Sequence, residues 1–241
     1  MRKELFWDFA YSSEKRSKAL DVLDGEIPKV SIQFSYSLLG DIQNKKLLEI
    51  GCGSGYQTIF FVSKGAQVTA IDISEESVNA TRALCEKNNV QNAEIKQMAA
   101  ELLQFKDNTF DRIYINKVLL HTDKDRVISE CRRVLRKEGI IVFTEMLKNW
   151  IFSFPYRMFS PYRKTNPDYL TLKEVQMMTK VHKEFYLFST FFLFLFYLPF
   201  PGSAKIGYFF FNTFARVDSL VWEIFPFLKK YAWITVAALQ K

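Results

Sequence analysis

The stretch Leu48-Glu49-Ile50-Gly51-Cys52-Gly53-Ser54-Gly55 decides the reading of this chain. It begins inside a short apolar run, residues 46–50 (KLLEI), and passes into three glycines at alternate positions. An apolar run ended by glycines is the sequence signature of a buried parallel strand. Residues 56–63 then carry helical patterning, so the glycines occupy a strand-to-helix turn. Lacking Cβ atoms, such a turn folds tightly and lets a ligand approach the backbone. The helix that follows aims its free N–H groups and positive dipole end at the same point. The spacing excludes two nucleotide loops. A dinucleotide fingerprint, G-x-G-x-x-G, needs its third glycine at position 56, which is Tyr56. A phosphate-cradling G-x-x-x-x-G-K-[ST] segment is absent.

Outward from the loop the pattern alternates. Residues 67–71 (QVTAI) read as a second strand, and Ser74 opens SEES, a helix start with acidic residues in its first turn. That helix runs towards residue 88. Strands are expected at 93–97, 110–115 and, after Gly139, 140–144 (IIVFT), with a helix at 124–136. The tail 233–239 (WITVAAL) reads as a closing strand. Strands alternating with helices imply a mostly parallel sheet, helices on both faces and right-handed crossovers. The expected fold class is α/β: a Rossmann-like seven-stranded sheet, its sixth strand beginning near residue 185. A Phe-rich helical insertion separates the last two strands. Residues 1–44 form a helical cover and 45–145 the core. Residues 146–241 supply a substrate-side wall, the insertion and the closing strand.

An acidic residue two positions before G-x-G-x-G, here Glu49, is the pattern of class I S-adenosylmethionine-dependent methyltransferases, which this segment resembles. Two further stretches carry the resemblance. Residues 102–121 (LLQFKDNTFDRIYINKVLLH) are similar to the family's L-P-F-x-D-x-x-F-D run, with Gln104 in place of the proline. Residues 131–143 (CRRVLRKEGIIVF) are similar to its R-V-L-K-P-G-G segment, with Glu138 in place of one glycine. The resemblance covers roughly residues 45 to 145, and the chain as a whole resembles a small-molecule, type 11 group with a hydrophobic C-terminal extension. It implies S-adenosylmethionine as cofactor, with Glu49 holding its methionine portion and Gly51, Cys52, Gly53 and Gly55 forming the cradle. Asp72, 21 residues after Gly51, is placed with Ile73 to receive the ribose hydroxyls; alone it reads equally as a cap for the SEES helix. Ala100 and Glu101 are expected against the adenine, although Ala99 stands where many relatives carry an acid. Asn116 and Lys117 are expected to line the cleft through their backbone.

Methyl transfer to a hydroxyl requires a proton acceptor. His121, just after the fourth strand on the carboxyl side of the sheet, is the first candidate base; the alternative is a packing or hydrogen-bonding role beside the cofactor. Glu145, ending the fifth strand, is a second catalytic candidate. Tyr156, Arg157, Tyr162 and Arg163, within 148–168, are expected to contact substrate. Tyr11, with Trp7 and Phe9, is expected to cover the cofactor. The fourth strand is followed by INKV rather than an N-P-P-Y-type tetrapeptide, which argues against nucleic-acid bases as acceptors.

Apolar residues make up 49% and charged residues 24%, ordinary for a folded domain. The net charge of +7 arises in residues 146–241, where 12 Lys/Arg face 5 Asp/Glu and 16 of the 24 phenylalanines lie. Residues 185–204 carry no charge, but Pro199, Pro201 and Gly202 interrupt them, which argues against a membrane span. Residues 206–225 read as a helix with a narrow polar stripe, Asn212, Arg216, Ser219 and Glu223. Two placements stay open: a lid or homodimer surface, and a peripheral contact with an anionic bilayer. Cys52, Cys85 and Cys131 have no metal-ligand spacing, so no metal is expected, and the thiols point to a cytoplasmic setting, at the inner membrane face in the bilayer reading. The expected acceptor is a hydrophobic small molecule or lipid, methylated on oxygen or carbon. The rivals are a soluble sugar or polar metabolite, and a non-catalytic cofactor-binding module.

Overall fold

The computed structural model describes residues 32, 35–148, 168–179, 224–225, 227, 232 and 234–241. Five strands and three helices alternate through the core: β1 (Lys46–Ile50), α1 (Tyr56–Ser63), β2 (Gln67–Asp72), α2 (Glu75–Lys87), β3 (Ala93–Gln97), β4 (Phe110–Asn116), α3 (Lys124–Val134) and β5 (Leu135–Met146). A single 3-10 turn, Leu119–His121, lies between β4 and α3; α4 (Leu172–Thr179) and β6 (Ile234–Gln240) follow. The described sheet has six strands in the order β3-β2-β1-β4-β5-β6, where seven were expected. The strand expected near residue 185, the Phe-rich insertion and the cover over residues 1–31 lie outside the described residues. All neighbours pair in parallel except β6, which closes the edge antiparallel to β5.

Right-handed crossovers moving from β1 out to β3 put α1 and α2 on one face; those moving from β4 to β5 put α3 on the other. Each face has its own apolar cluster. Leu48, Ile50, Ile113, Ile115 and Phe143 meet Val127, Cys131 and Val134 of α3 and Val175 of α4. Leu47, Val68, Tyr114, Val142 and Val236 meet Phe61 of α1 and Leu39 and Ile42 of the segment before β1. Successive strand residues therefore enter opposite clusters, and both faces are dry. Residues 35–38 are helical, and Tyr36 stacks on Phe60 with ring centroids 4.2 Å apart.

Two boundaries depart from expectation. α3 stops at Val134 because Leu135 already has an extended backbone. Leu135 pairs with Phe110, after which the chain leaves the ladder and re-enters at Ile140 opposite Arg112. Within that excursion Glu138 adopts φ 64, the left-handed conformation of the glycine it replaces. β1 and β4 are adjacent although β4 follows β3 in sequence. The order in which strands are laid down thus reverses between these two parallel strands, and in open α/β sheets ligands bind beyond the strands' carboxyl ends at such a point.

Candidate functional site

The glycine loop emerges from β1 at that reversal. Gly51, Gly53 and Gly55 have φ of 81, 54 and 82, all in the left-handed region. A Cβ on Gly51 would collide with Val118 Cγ2, and one on Gly55 would lie 2.9 Å from the Thr81 backbone. The loop is therefore fixed from two sides, by the turn after β4 and by α2. Gly51 and Cys52 both donate N–H bonds to Ile71 O. The Thr81 hydroxyl donates to Gly53 O at 3.1 Å. Burial pushes the Cys52 thiol well above its ordinary range, so it is not a thiolate nucleophile.

α1 begins at this loop without a side-chain cap, whereas Ser74 caps α2 and Asp123 caps α3. Its first-turn N–H groups face the loop with no side-chain acceptor, the arrangement that receives a carboxylate. Tyr56, its first residue, is 71% exposed.

Two carboxyl groups flank the loop. Asp72 ends β2 and accepts from Gly53 N with one oxygen and from Ser74 N with the other, both at 3.0 Å. A carboxylate oxygen accepts more than one hydrogen bond, so a group of this type at the end of β2 suits the recognition of a diol. The capping alternative is partly realised as well, since Ser74 itself is the N-cap of α2. Glu49 is fully buried; its Oε2 accepts from the Thr58 hydroxyl at 2.6 Å, while its Oε1 has no partner. Burial, reinforced by the Asp72 charge against the Thr58 bond, pushes Glu49 up to about 8. An orphaned carboxyl oxygen beneath a loop is costly unless a ligand compensates it. The Asp72 charge would repel a polyphosphate, and a cation arriving beside Glu49 would favour its ionised form.

Beside Asp72, Gln97 Nε2 donates to Ile73 O at 3.0 Å and Met98 N to Asp72 O at 2.9 Å. This brings Ile73 and the segment holding Ala100 and Glu101 to the same end of the sheet. Glu101 turns towards α3, accepting from Asp123 N at 3.3 Å. Across the reversal, Asn116 Oδ1 is buried with no partner, and Lys117, at φ 56, donates its N–H to Thr144 O. His121 closes the 3-10 turn, its N–H bonded to Val118 O. Glu145 is buried under this turn, fully shielded from solvent, with Oε1 accepting from Leu119 N at 2.7 Å. It is therefore no solvent-facing base. Burial pushes it up to about 8 even though the Leu119, Val118 and Lys117 surroundings oppose the shift.

Glu49, Gly51, Cys52, Gly53, Gly55, Asp72, Ile73, Asn116, Lys117 and His121 thus gather at the carboxyl edge. Tyr11, Tyr156, Arg157, Tyr162 and Arg163 lie outside the described residues. The sequence reading did not single out Thr58, Thr81 or Val118. Thr58, near the start of a helix folding back over β1, was the one with a usable signal: a buried acid needs a nearby donor. Among the described residues no cluster of His, Cys, Asp and Glu fits a metal ion.

Residues 48–143 match the family model described as "Methyltransferase domain". This part of the chain is accordingly similar to class I, S-adenosylmethionine-dependent methyltransferase domains. Among curated proteins, the chain is 36% identical over 133 residues to a ubiquinone/menaquinone biosynthesis C-methyltransferase of Saccharophagus degradans, covering 53% of each. It is 29% identical over 112 residues to a ubiquinone biosynthesis O-methyltransferase of Acinetobacter baylyi, covering 46% of this chain and 47% of that one. The chain thus spans about half the length of the curated relatives it matches. Geranyl diphosphate methyltransferase, solved in complex with S-adenosylmethionine, shares the fold with a TM-score of 0.67 at 14% identity, over 96% of this chain and 94% of that one.

Proposed function

We propose that this chain transfers a methyl group from S-adenosylmethionine to oxygen or carbon of a hydrophobic, quinone-like small molecule or lipid. The observation that carries the transfer is the glycine loop at the sheet reversal, flanked by a buried Glu49 with an orphaned oxygen and by Asp72. These groups fit the cofactor's chemistry part by part. Glu49 Oε1 receives the ammonium, the uncapped start of α1 the carboxylate, and Asp72 the ribose hydroxyls. Ala100 lines the adenine side. The bound cofactor would supply an electrophilic methyl on a sulfonium, and its cationic ammonium would favour the ionised form of Glu49.

The domain's main contribution is alignment of acceptor and donor, which lowers such a barrier by roughly 7–11 kcal/mol. His121, at the end of the 3-10 turn after β4, takes the acceptor's proton where the acceptor is a hydroxyl. The apolar-acceptor reading is supported by the Phe-rich composition of residues 146–241. It is supported also by the quinone-pathway names of the two curated relatives. No helix among the described residues is long and apolar enough to cross a membrane; any contact with a bilayer in this proposal is peripheral.

The test is incubation with methyl-labelled S-adenosylmethionine and a cell extract, followed by separation of lipid and aqueous fractions. Label in the lipid fraction is expected, and Asp72→Ala should weaken cofactor binding at least about tenfold, the cost of a lost charged hydrogen bond. Label confined to the aqueous fraction would replace the lipid acceptor with a polar one. Absence of label in both, with cofactor binding intact, would leave a binding module in place of an enzyme.

A further inference from the structure

We infer that Glu145 is a positioning residue: its buried carboxyl fixes the turn after β4, and through that turn it sets both the His121 imidazole and the roof of the glycine loop. The functional meaning of this rests on the methyl-transfer reading, but the mechanics do not.

The chain of contacts is continuous. Glu145 Oε1 accepts from Leu119 N at 2.7 Å, in the middle of the turn. The preceding residue of β5 takes part as well, since Thr144 O accepts from Lys117 N at 2.8 Å. The end of β5 therefore grips the turn at two points, which holds Lys117 in its left-handed conformation, φ 56. Between the two grips sits Val118. Its Cγ2 occupies the space that a side chain on Gly51 would need, so it is packed directly on the cofactor loop. Val118 O in turn accepts the N–H of His121. Moving the Glu145 carboxyl moves Leu119, and Val118 and His121 move with it.

The choice of residue supports the assignment. Phe143 and Leu147, two positions to either side, lie in the apolar cluster with Leu119. A leucine at 145 would extend that cluster, whereas a buried carboxyl there is expensive. Its second oxygen has no partner, and neither does the hydroxyl of Thr235, its register partner on β6. Stability therefore does not account for the acid. The bond to Leu119 is what an apolar residue would lose.

Two substitutions separate geometry from bulk. Glu145→Gln keeps an acceptor for Leu119 N and offers Thr235 a donor; Glu145→Leu fills the same volume and removes the acceptor. The probes are S-adenosylhomocysteine affinity by titration calorimetry and the imidazole proton shifts of His121 by NMR. The chain has two histidines, so His182→Gln assigns the spectrum. Glu145→Gln should bind within about twofold of wild type with His121 signals in place, and Glu145→Leu should bind at least about tenfold more weakly with displaced signals. A folded Glu145→Leu protein with wild-type affinity and unmoved His121 signals would overturn the inference. Should that variant fail to fold, Val118→Ala decides, because it removes the roof and leaves Glu145 alone. Weaker S-adenosylhomocysteine binding is expected, and unchanged binding would overturn the coupling. If the wild-type protein does not bind the probe at all, the methyl-transfer reading fails, while the His121 shifts still test Glu145.

Discussion

Glu49 is a fully buried carboxyl with one oxygen left without a partner, kept at the fold's expense. Its native carboxyl is pushed up to about 8 by burial, against an ordinary value of 4.5. Below pH ~4.5 the group is protonated in both folded and unfolded chains, and the folded state carries no penalty. Between about 4.5 and 8 the unfolded chain releases its proton while the native one retains it, so stability falls as pH rises through that window. Glu145 has the same shift and contributes the same sign. Glu49→Gln should therefore flatten part of the decline in urea midpoint between pH 5 and pH 8; an unchanged slope would show that Glu49 ionises freely in the folded protein. A second residue-scale prediction concerns Gly51. Its φ of 81 and the clash with Val118 Cγ2 both oppose a side chain. Gly51→Ala should lose cofactor affinity and stability. Adding Val118→Ala should restore part of the stability, because it removes the clash, but not the backbone strain. Denaturation of the single and double variants measures this, and equal instability would assign the whole cost to φ.

At the scale of elements, the excursion at the start of β5 sets the next prediction. Glu138 occupies a left-handed conformation that costs an ordinary residue roughly 1–2 kcal/mol. Glycine there removes the strain but adds freedom to the unfolded chain, worth about 0.5–1 kcal/mol. The side chain's own bond, from Gln240 at 3.1 Å, is exposed and contributes little. Glu138→Gly should therefore raise the melting temperature by about 1–4 °C. A lower value would show that the Gln240 contact outweighs the strain. This excursion also marks where sequence reasoning stopped. Short apolar runs ending in glycine or in SEES located β1 to β4, α1 and α2 to within a residue, because their signals are local. Residues 135–139 read as helix end and turn, since the pairing of Leu135 with Phe110 depends on a strand 25 positions earlier. The site divides in the same way. Glu49, the glycines and Asp72, which the family resemblance singles out, lie together at the carboxyl ends of β1 and β2. Val118 over Gly51, Thr81 on Gly53 and the burial of Glu145 under a distant turn were not legible, because each joins segments that meet only once the sheet is assembled. One local signal passed unread: Thr171-Leu172-Lys173-Glu174 is a capping box, with Thr171 N donating to Glu174 at 2.6 Å and Glu174 N to the Thr171 hydroxyl at 3.2 Å.

At the scale of the whole molecule, the described segment 168–179 is tied to the core beside the His121 turn by several bonds. Leu147 bridges to Leu170, Lys148 N donates to Leu170 O, and Asp168 N donates to Leu120 O. Lys124, at the start of α3, pairs with Asp168 at 2.6 Å and with Glu174 at 3.1 Å, and its side chain is only 12% exposed. Glu174 therefore has two tasks, closing the capping box of α4 and anchoring that helix to α3. Asp168 is largely exposed, so the pair with it is worth under ~1 kcal/mol to global stability. Its leverage is local, because it holds one end of a segment to the turn that carries His121. Lys124→Met keeps the apolar stem and removes the charge. Amide exchange in residues 168–179 should then accelerate, while β1, β2 and β4 stay protected and the melting temperature changes little. Adding salt to the wild-type protein should move exchange in the same direction, since screening weakens the exposed half of the network. If exchange in 168–179 were unchanged in Lys124→Met, the backbone bonds at Leu120 and Leu170 would be sufficient to dock the segment, and Lys124 would be incidental to it. If exchange rose throughout the sheet, the lysine would belong to the core of the domain rather than to its junction with residues 168–179.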